Sequence, residues 1–469
     1  MSNEIQQTGG RGTFGSRLGI LLATVGSAVG LGNIWRFPYM LGANGGAAFL
    51  LIYIGCILLL GLPVMITEFF IGRHTQKNAA GAFKKLAPGT GWSVIGYNGV
   101  LAAFLILGFY YVISGWTLDY AFNSVTTSYA GKTAAEFTAE FKEFSSGIFR
   151  PLIWTLLFIA ITHLVVVSGV KNGIERASKI LMPMLFCILI ALCIRSLTLG
   201  GAMGGIEFLF RPDFSKISPK VILDAMGQAF FSLSVGMGCL ITYSSYFKKD
   251  TKLQRTALEV TVFDTFVALL GAVMIFPAFF HFHPELIGQS LGPELVGPEL
   301  VFVTLPNVFT QLPLSNVWAF VFYVLLAVAA LTSTISLHEV ATAYIHEEHK
   351  VSRKRATLYV SIGAAVLCVF SSLSFGIMRD ATVFGLTFFN LLDFVTAKLM
   401  LPFGGMLICI FVGNRVNKKI LKAELTNEGT AAFYFFNAYY YFIKYLAPVA
   451  IGLIFLNELG LMKWLFSLG

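Results

Sequence analysis

Apolar runs of 18 or more residues recur from one end of the chain to the other, and they constrain the fold more than anything else in it. Each run is long enough to cross a hydrocarbon core of about 30 Å as a helix. In lipid the backbone must satisfy its own hydrogen bonds, so helix is the expected state of every such run. Composition agrees: 56% of residues are hydrophobic and 12% charged, against roughly 25% charged in an average soluble domain. Eleven spans are predicted: 14–40, 45–72, 92–123, 150–168, 174–195, 221–247, 256–281, 313–345, 355–376, 382–413 and 431–459. They are numbered 1 to 11 below.

The net charge of +9 is explained by where the charges fall. Lys and Arg concentrate in alternate loops. One set comprises Arg73, Lys77, Lys84 and Lys85, then Lys171, Arg176 and Lys179, then Lys248, Lys249, Lys252 and Arg255. It continues with Lys350, Arg353, Lys354 and Arg355 and ends with Arg415, Lys418, Lys419 and Lys422. The loop 282–312 has no Lys or Arg and carries Glu285, Glu294 and Glu299. The positive-inside rule therefore predicts a cytoplasmic N-terminus and, with eleven spans, an outside C-terminus. Nucleic acid need not be invoked to explain the basic balance. The first dozen residues lack the pattern of a cleaved signal, so span 1 is expected to serve as the targeting segment. All six cysteines lie in apolar spans, without metal-ligand spacing or a disulfide framework. A bacterial inner membrane is the expected location.

Spans 1 and 6 each carry a cluster of small residues at mid-membrane depth: Gly26, Ser27, Gly30 and Gly32 in the first, Ser232, Ser234, Gly236 and Gly238 in the second. Glycine weakens a helix by around 1 kcal/mol relative to Ala. A break at that depth frees backbone carbonyls and amides, which is tolerated where they line a cavity or bind something. Carbonyls suit a cation and half-helix N-termini an anion. Close helix packing is the alternative use of such clusters. Two interrupted spans, five apart, point to a transporter built from inverted repeats, spans 1–5 and 6–10. A channel would need a continuous polar pore, and spans 1 and 6 are mostly apolar. A membrane enzyme would need a reactive constellation. His346 and His349, beside Glu347 and Glu348, read as a solvated helix end rather than a metal site.

The strings RLG at 17–19, GSAVGLGNIWRFPY at 26–39 and NGGAAF at 44–49 resemble the signature of the neurotransmitter:sodium symporter family, in its bacterial branch. GLP at 61–63 with Glu68, Tyr110-Tyr111 with Gly115-Trp116, Gln228 through Gly238, and Leu331-Thr-Ser333 extend the resemblance. It implies an all-α membrane protein with a LeuT-like 5+5 inverted repeat and discontinuous helices 1 and 6. The expected organisation is a tail at 1–13, a transporter core at 14–413 and a peripheral eleventh span within 414–469. The implied function is sodium-coupled import of amino acids by alternating access, with no enzymatic activity. The functional unit would be a monomer, with a dimer possible.

Several site residues follow from the resemblance. Sodium site 1 would take the Ala28 carbonyl, Asn33, Ser232 and Asp264, completed by the substrate carboxylate. Sodium site 2 would take the carbonyls of Gly26, Val29 and Ala329 with the hydroxyls of Thr332 and Ser333. The substrate pocket would comprise Ser27, Ala28, Leu31, Gly32, Leu107, Tyr111, Phe231, Ser232, Ser234, Met237, Ser333 and Leu337. Tyr111 and the amides near Leu31 would hold the carboxylate; a packing role for Tyr111 is the alternative. Arg36 and Asp393 would pair as an outer gate, with Phe231 as a lid. Arg11 and Glu347, with Phe14 in a place the family usually gives to Trp, would form the inner gate. Gly173 and Pro183 in span 5 allow local unwinding or a static kink. No role is assigned to Lys398 or Lys444, for which snorkelling to the membrane surface is the default. Met237, unbranched and adaptable, suggests a pocket for large hydrophobic side chains. The family's chloride site corresponds to Tyr53, Gln228 and Ser232, with Asp264 and Ala268 in span 7. A carboxylate at Asp264 would stand in for the anion, with Glu68 as the alternative source of that charge, so chloride should be dispensable.

Overall fold

The computed structural model describes residues 12–129, 131–283, 300–310 and 312–461. Among these residues every regular element is helical, apart from one isolated antiparallel bridge between Val383 and Leu386. Nine helices are long and apolar enough to cross a membrane: Ala47–Thr75, Ser93–Thr126, Phe149–Val167, Val170–Leu197, Leu253–Phe282, Ser315–Glu348, Arg353–Leu373, Phe388–Arg415 and Phe436–Glu458. They correspond to spans 2–5 and 7–11. Span 1 is a bent pair, Arg17–Ala28 and Gly32–Ala43, with 50° between its halves. Span 6 is divided into Pro219–Ser232 and Cys239–Ser244.

The two breaks have a local cause. Between the halves of span 6 the backbone turns left-handed at Ser234 (φ 55°), Gly236 (φ 86°) and Gly238 (φ 74°). Glycine reaches that region without steric cost, and three such residues in five end any helix. In span 1 the helix stops at Ala28, Val29 is extended, and the chain resumes at Gly32 as a π-helical turn.

Spans 3 and 8, each 34 residues long, pack together through the centre of the molecule. Both are buried over most of their circumference. Span 1 lies against spans 5, 7 and 8, and the second half of span 6 against spans 2 and 8. Spans 4, 5, 9 and 11 each expose several large apolar side chains, among them Leu164, Ile180, Ile362 and Val449. Exposed leucines and isoleucines of this kind are what a bilayer-facing helix requires. Span 10 meets span 11 through an ion pair between Lys398 and Glu458 at 3.2 Å, which supplies a partner for one of the two unassigned lysines. The other, Lys444, lies over the rings of Tyr440 and Tyr445.

Candidate functional site

The broken centres of spans 1 and 6 face each other. Ser234 Oγ donates to the Ser27 carbonyl at 2.8 Å, and Gln228 Nε2 reaches the Gly32 carbonyl at 3.5 Å. Backbone groups released by one break are thus partly satisfied by the other, as buried polar groups must be. A small cavity of about 40 Å³ lies between them. Its wall includes Ser27, Ala28, Gly32, Phe231, Ser232, Ser234, Met237, Ser333 and Leu337, all predicted as pocket residues.

Three predicted residues are placed differently. Tyr111 turns away from the cavity and packs against Phe158 of span 4, ring centroids 6.3 Å apart. Leu107 is buried on the same side of span 3, its carbonyl accepting from Cys368 Sγ at 3.4 Å. The span 3 residues that reach the cavity are Tyr110 and Ile106. The residues of span 3 at the cavity are thus each one position before the expected Leu107 and Tyr111, and one residue rotates a helical side chain by about 100°. Tyr110 accepts the Leu31 amide at its hydroxyl, 3.1 Å away. Leu31 itself lines a second, larger cavity rather than the small one. Gly30 and Ser336 line the small cavity and went unpredicted.

The residues predicted for sodium site 1 converge. Asn33 Nδ2 donates to Asp264 Oδ1 at 2.8 Å, and Ser232 Oγ donates to Asp264 Oδ2 at 2.8 Å. Asn33 Oδ1 accepts the Gly30 amide at 3.0 Å, which binds this side chain to the break in span 1. Asp264 is fully buried, as are Asn33 and Ser232. A buried carboxylate with no cationic side chain among its hydrogen-bond partners is costly unless a cation neutralises it. The oxygens of Asp264, Ser232 and Asn33 are the hard donors that an alkali cation takes.

The residues predicted for sodium site 2 also meet. Thr332 Oγ1 lies 3.3 Å and Ser333 Oγ 3.4 Å from the Val29 carbonyl, and Thr332 Oγ1 donates to the Ala329 carbonyl at 2.9 Å. Gly26 leaves just enough room there: a Cβ on it would stand 3.3 Å from Thr332 Cβ. The donor set of carbonyls and hydroxyls is neutral and oxygen-only, as suits a monovalent cation.

Behind Asp264 lie Tyr53 and Gln228, both fully buried. Among the described residues the Tyr53 hydroxyl and Gln228 Oε1 have no hydrogen-bond partner. Ala268, one helical turn beyond Asp264, offers no polar atom. Glu68 is engaged at the break of span 6, where its Oε1 accepts the Gly236 amide at 2.7 Å.

On one side of the small cavity, Phe231 separates it from a vestibule of about 280 Å³ lined by Leu31, Gly32, Arg36, Tyr110, Phe389 and Asp393, among others. The guanidinium of Arg36 stands over the Phe231 ring, 4.2 Å from its centroid. Arg36 and Asp393 share the vestibule without forming an ion pair within 4.0 Å, so the predicted gate pair is apart. On the other side, the side rich in Lys and Arg, the path is blocked. Phe14 is fully buried among Tyr243, Tyr246 and Phe247. Arg11 falls outside the described residues. Glu347 accepts the Asn78 amide at 3.0 Å and its side chain at 3.1 Å.

Sequence reasoning missed the rest of this closure. Tyr246 donates to Glu339 Oε1 at 2.7 Å, and Arg353 pairs with Glu339 while also donating to the Val166 carbonyl at 2.8 Å. Glu175, at the start of span 5, accepts from the Gly15 amide at 2.6 Å, from Ser16 Oγ at 2.8 Å and from Lys179 at 2.6 Å. The available signal was a carboxylate, Glu339, inside an apolar span, where charge is expensive and usually functional.

Two opposed broken helices, a buried carboxylate between them, and a cavity open on one side and closed on the other are the features of a secondary transporter. Comparison with known proteins narrows the class. A family model described as the sodium:neurotransmitter symporter family matches residues 11–140 and 130–465. The chain belongs to that family. It is 40% identical over 451 residues to the uncharacterized sodium-dependent transporter YhdH of Bacillus subtilis, covering 96% of this chain and 98% of that one. It is 29% identical over 447 residues to the sodium-dependent dopamine transporter of Bos taurus, covering 86% of this chain and 62% of the other. Among solved structures, MhsT in complex with L-phenylalanine matches with a TM-score of 0.86 and 45% identity, over 96% of this chain and 100% of that chain. The LeuT-like fold and the role of sodium-dependent transporter, rather than enzyme, follow from these matches.

Proposed function

We propose that the protein imports hydrophobic amino acids, aromatic or branched, together with two sodium ions and without chloride. The observation that carries this reading is the buried Asp264 carboxylate, held by Asn33 and Ser232 at the junction of the two broken helices. The substrate carboxylate would complete sodium site 1 from the cavity side, held by the Tyr110 hydroxyl and the Leu31 amide, which otherwise bond each other. Its side chain would point toward Ile106, Met237 and Leu337, an apolar end with no charged group. Burial there favours larger apolar substrates by about 25 cal/mol per Å². The small cavity does not by itself hold an aromatic ring. A turn of Phe231 and a new rotamer of Met237 would join it to the vestibule and make room. The complex of MhsT with L-phenylalanine supports an aromatic substrate.

Chloride independence rests on charge. A fixed carboxylate at Asp264 balances sodium in a low-dielectric site as a bound anion would. The loops rich in Lys and Arg support a cytoplasmic closed side and an outward-facing vestibule, in a bacterial cell membrane. The test is uptake of labelled phenylalanine, tyrosine, leucine, tryptophan and glycine into proteoliposomes, with and without an inward sodium gradient. Sodium should stimulate uptake, and affinity should rise with sodium because the linkage is reciprocal. Glycine as the tightest ligand would overturn the substrate assignment; uptake indifferent to sodium would overturn the coupling.

A further inference from the structure

On the closed side, between the start of span 1 and the loop joining spans 6 and 7, lies a cavity of about 230 Å³ remote from the transport site. Its wall carries Arg17, Lys248, Lys252 and Arg255 against the single carboxylate of Asp250. Beside it, Glu259 Oε1 accepts from both Arg17 Nη2 and Arg255 Nε, each at 2.8 Å. One carboxylate oxygen thus draws two guanidiniums together from two different helices. Each guanidinium has five N–H donors and spends one of them on Glu259. Lys248 and Lys252 have no ion-pair partner among the described residues. Four positive charges therefore face two negative ones, and most of their donors remain available. Span 7 also begins here, and its N-cap residue is Lys252, whose side chain makes no capping bond. The positive end of a 30-residue helix adds to the field.

The surface beyond the cavity identifies the occupant. Along span 7, Arg255, Leu258, Glu259, Val262 and Phe266 recur three or four positions apart, so they lie on one face. Leu258, Val262 and Phe266 are exposed, as is Leu18 next to Arg17 on span 1. A basic cavity opens at the foot of an apolar stripe of about two to three helical turns. A soluble anion uses only the first feature. A phospholipid uses both, with its phosphate among the cations and its acyl chains along the stripe. We propose that this cavity is a headgroup site for an anionic phospholipid. The phosphodiester would bridge Arg17 on span 1 to Lys248 and Lys252 on the 6–7 loop, tying together two elements that meet on the closed side.

The test uses full-length purified protein in detergent, with thermal stability measured on addition of phosphatidylglycerol, phosphatidylcholine or sn-glycerol 3-phosphate. Phosphatidylglycerol should raise the melting temperature of the wild type; the other two should not. In Lys248→Gln/Lys252→Gln/Arg255→Gln the concentration of phosphatidylglycerol giving half the shift should rise roughly tenfold or more, because three of the four cations facing the headgroup are neutralised. The double variant Lys248→Gln/Lys252→Gln, which breaks no ion pair, should show a smaller rise and guards against misfolding of the triple variant. Equal stabilisation of wild type and both variants would overturn the site. A shift of the same size with glycerol phosphate would overturn the lipid and leave a free-anion site. Equal shifts with phosphatidylcholine would reduce it to general lipid solvation.

Discussion

Tyr110 and Tyr111 sit side by side in an identical apolar context and do different things. Tyr110 reaches the cavity and touches the Leu31 amide; Tyr111 fills the interface with span 4. Tyr110→Phe removes one hydrogen bond to a charged substrate group, a loss of about 1.5–3 kcal/mol. Phenylalanine affinity should fall roughly 10- to 150-fold in equilibrium binding. Tyr111→Phe should change it less than about twofold, since the ring packing is kept; the reverse order would return the carboxylate to Tyr111. At Asp264 the prediction concerns anions. Asp264→Asn with Ala268→Ser removes the fixed charge and adds a hydroxyl one helical turn away, near the unpartnered Tyr53 hydroxyl and Gln228 oxygen. Wild-type uptake should be equal in chloride and gluconate. The double variant should transport only when chloride is present. A wild type that stops in gluconate would refute the reading, and a double variant indifferent to chloride would move the compensating charge to Glu68.

At the scale of elements, what could be read in advance depended on which physical quantity encodes the element. All eleven spans were legible because length and apolarity in lipid leave the backbone no alternative to helix. The breaks in spans 1 and 6 were legible because two clusters of small residues, five spans apart and each with hydroxyls, are not explained by close helix packing alone. The register of span 3 was not. That helix is buried nearly all round, so its apolar pattern has no polar face to say which way Ile106 or Leu107 points. The closure formed by Glu339, Arg353, Tyr246 and Glu175 was illegible for another reason: apart from the neighbours Glu339 and Arg353, its partners lie far apart in sequence, and no local spacing marks them. Span 5 shows a third case. Gly173 and Pro183 suggested unwinding or a kink, and the structure has a π-helical stretch at Val170–Glu175 running into a helix that contains Pro183. A Cβ on Gly173 would stand 2.0 Å from the Val165 carbonyl oxygen. Gly173→Ala must therefore displace backbone, and overpacking of this kind costs about 1–3 kcal/mol. A lower melting temperature is expected, measured in sodium without substrate. An unchanged value would mean that the turn relaxes freely.

For the whole molecule, the proposed import by alternating access requires that the closed side open while the vestibule shuts, so the bonds holding the closed side would set an equilibrium. Glu339 is completely buried and binds Arg353, which also holds the Val166 carbonyl, while Tyr246 reaches in from the end of span 6. Spans 4, 6, 8 and 9 meet in this one cluster. Breaking a buried ion pair by removing one partner costs about 3–5 kcal/mol, because a charge is left without compensation. That cost falls on the closed conformation alone if opening lets water reach Arg353. Glu339→Gln should therefore shift the population toward the open side. About 1.4 kcal/mol changes the ratio tenfold, so even part of the cost suffices. Sodium-dependent substrate binding, which belongs to the closed form, should weaken by the fraction of that form lost. Cys239 offers a direct readout. It is fully buried at the start of the second half of span 6, two residues beyond Met237 of the cavity. In a protein with the other five cysteines replaced, a thiol reagent should label Cys239 slowly in the wild type. Labelling should be about tenfold or more faster in Glu339→Gln without sodium. Sodium with phenylalanine should slow it again in both, because the ligands bind the closed form more tightly. Equal labelling rates in variant and wild type would show that Glu339 supports the fold without biasing the transport equilibrium.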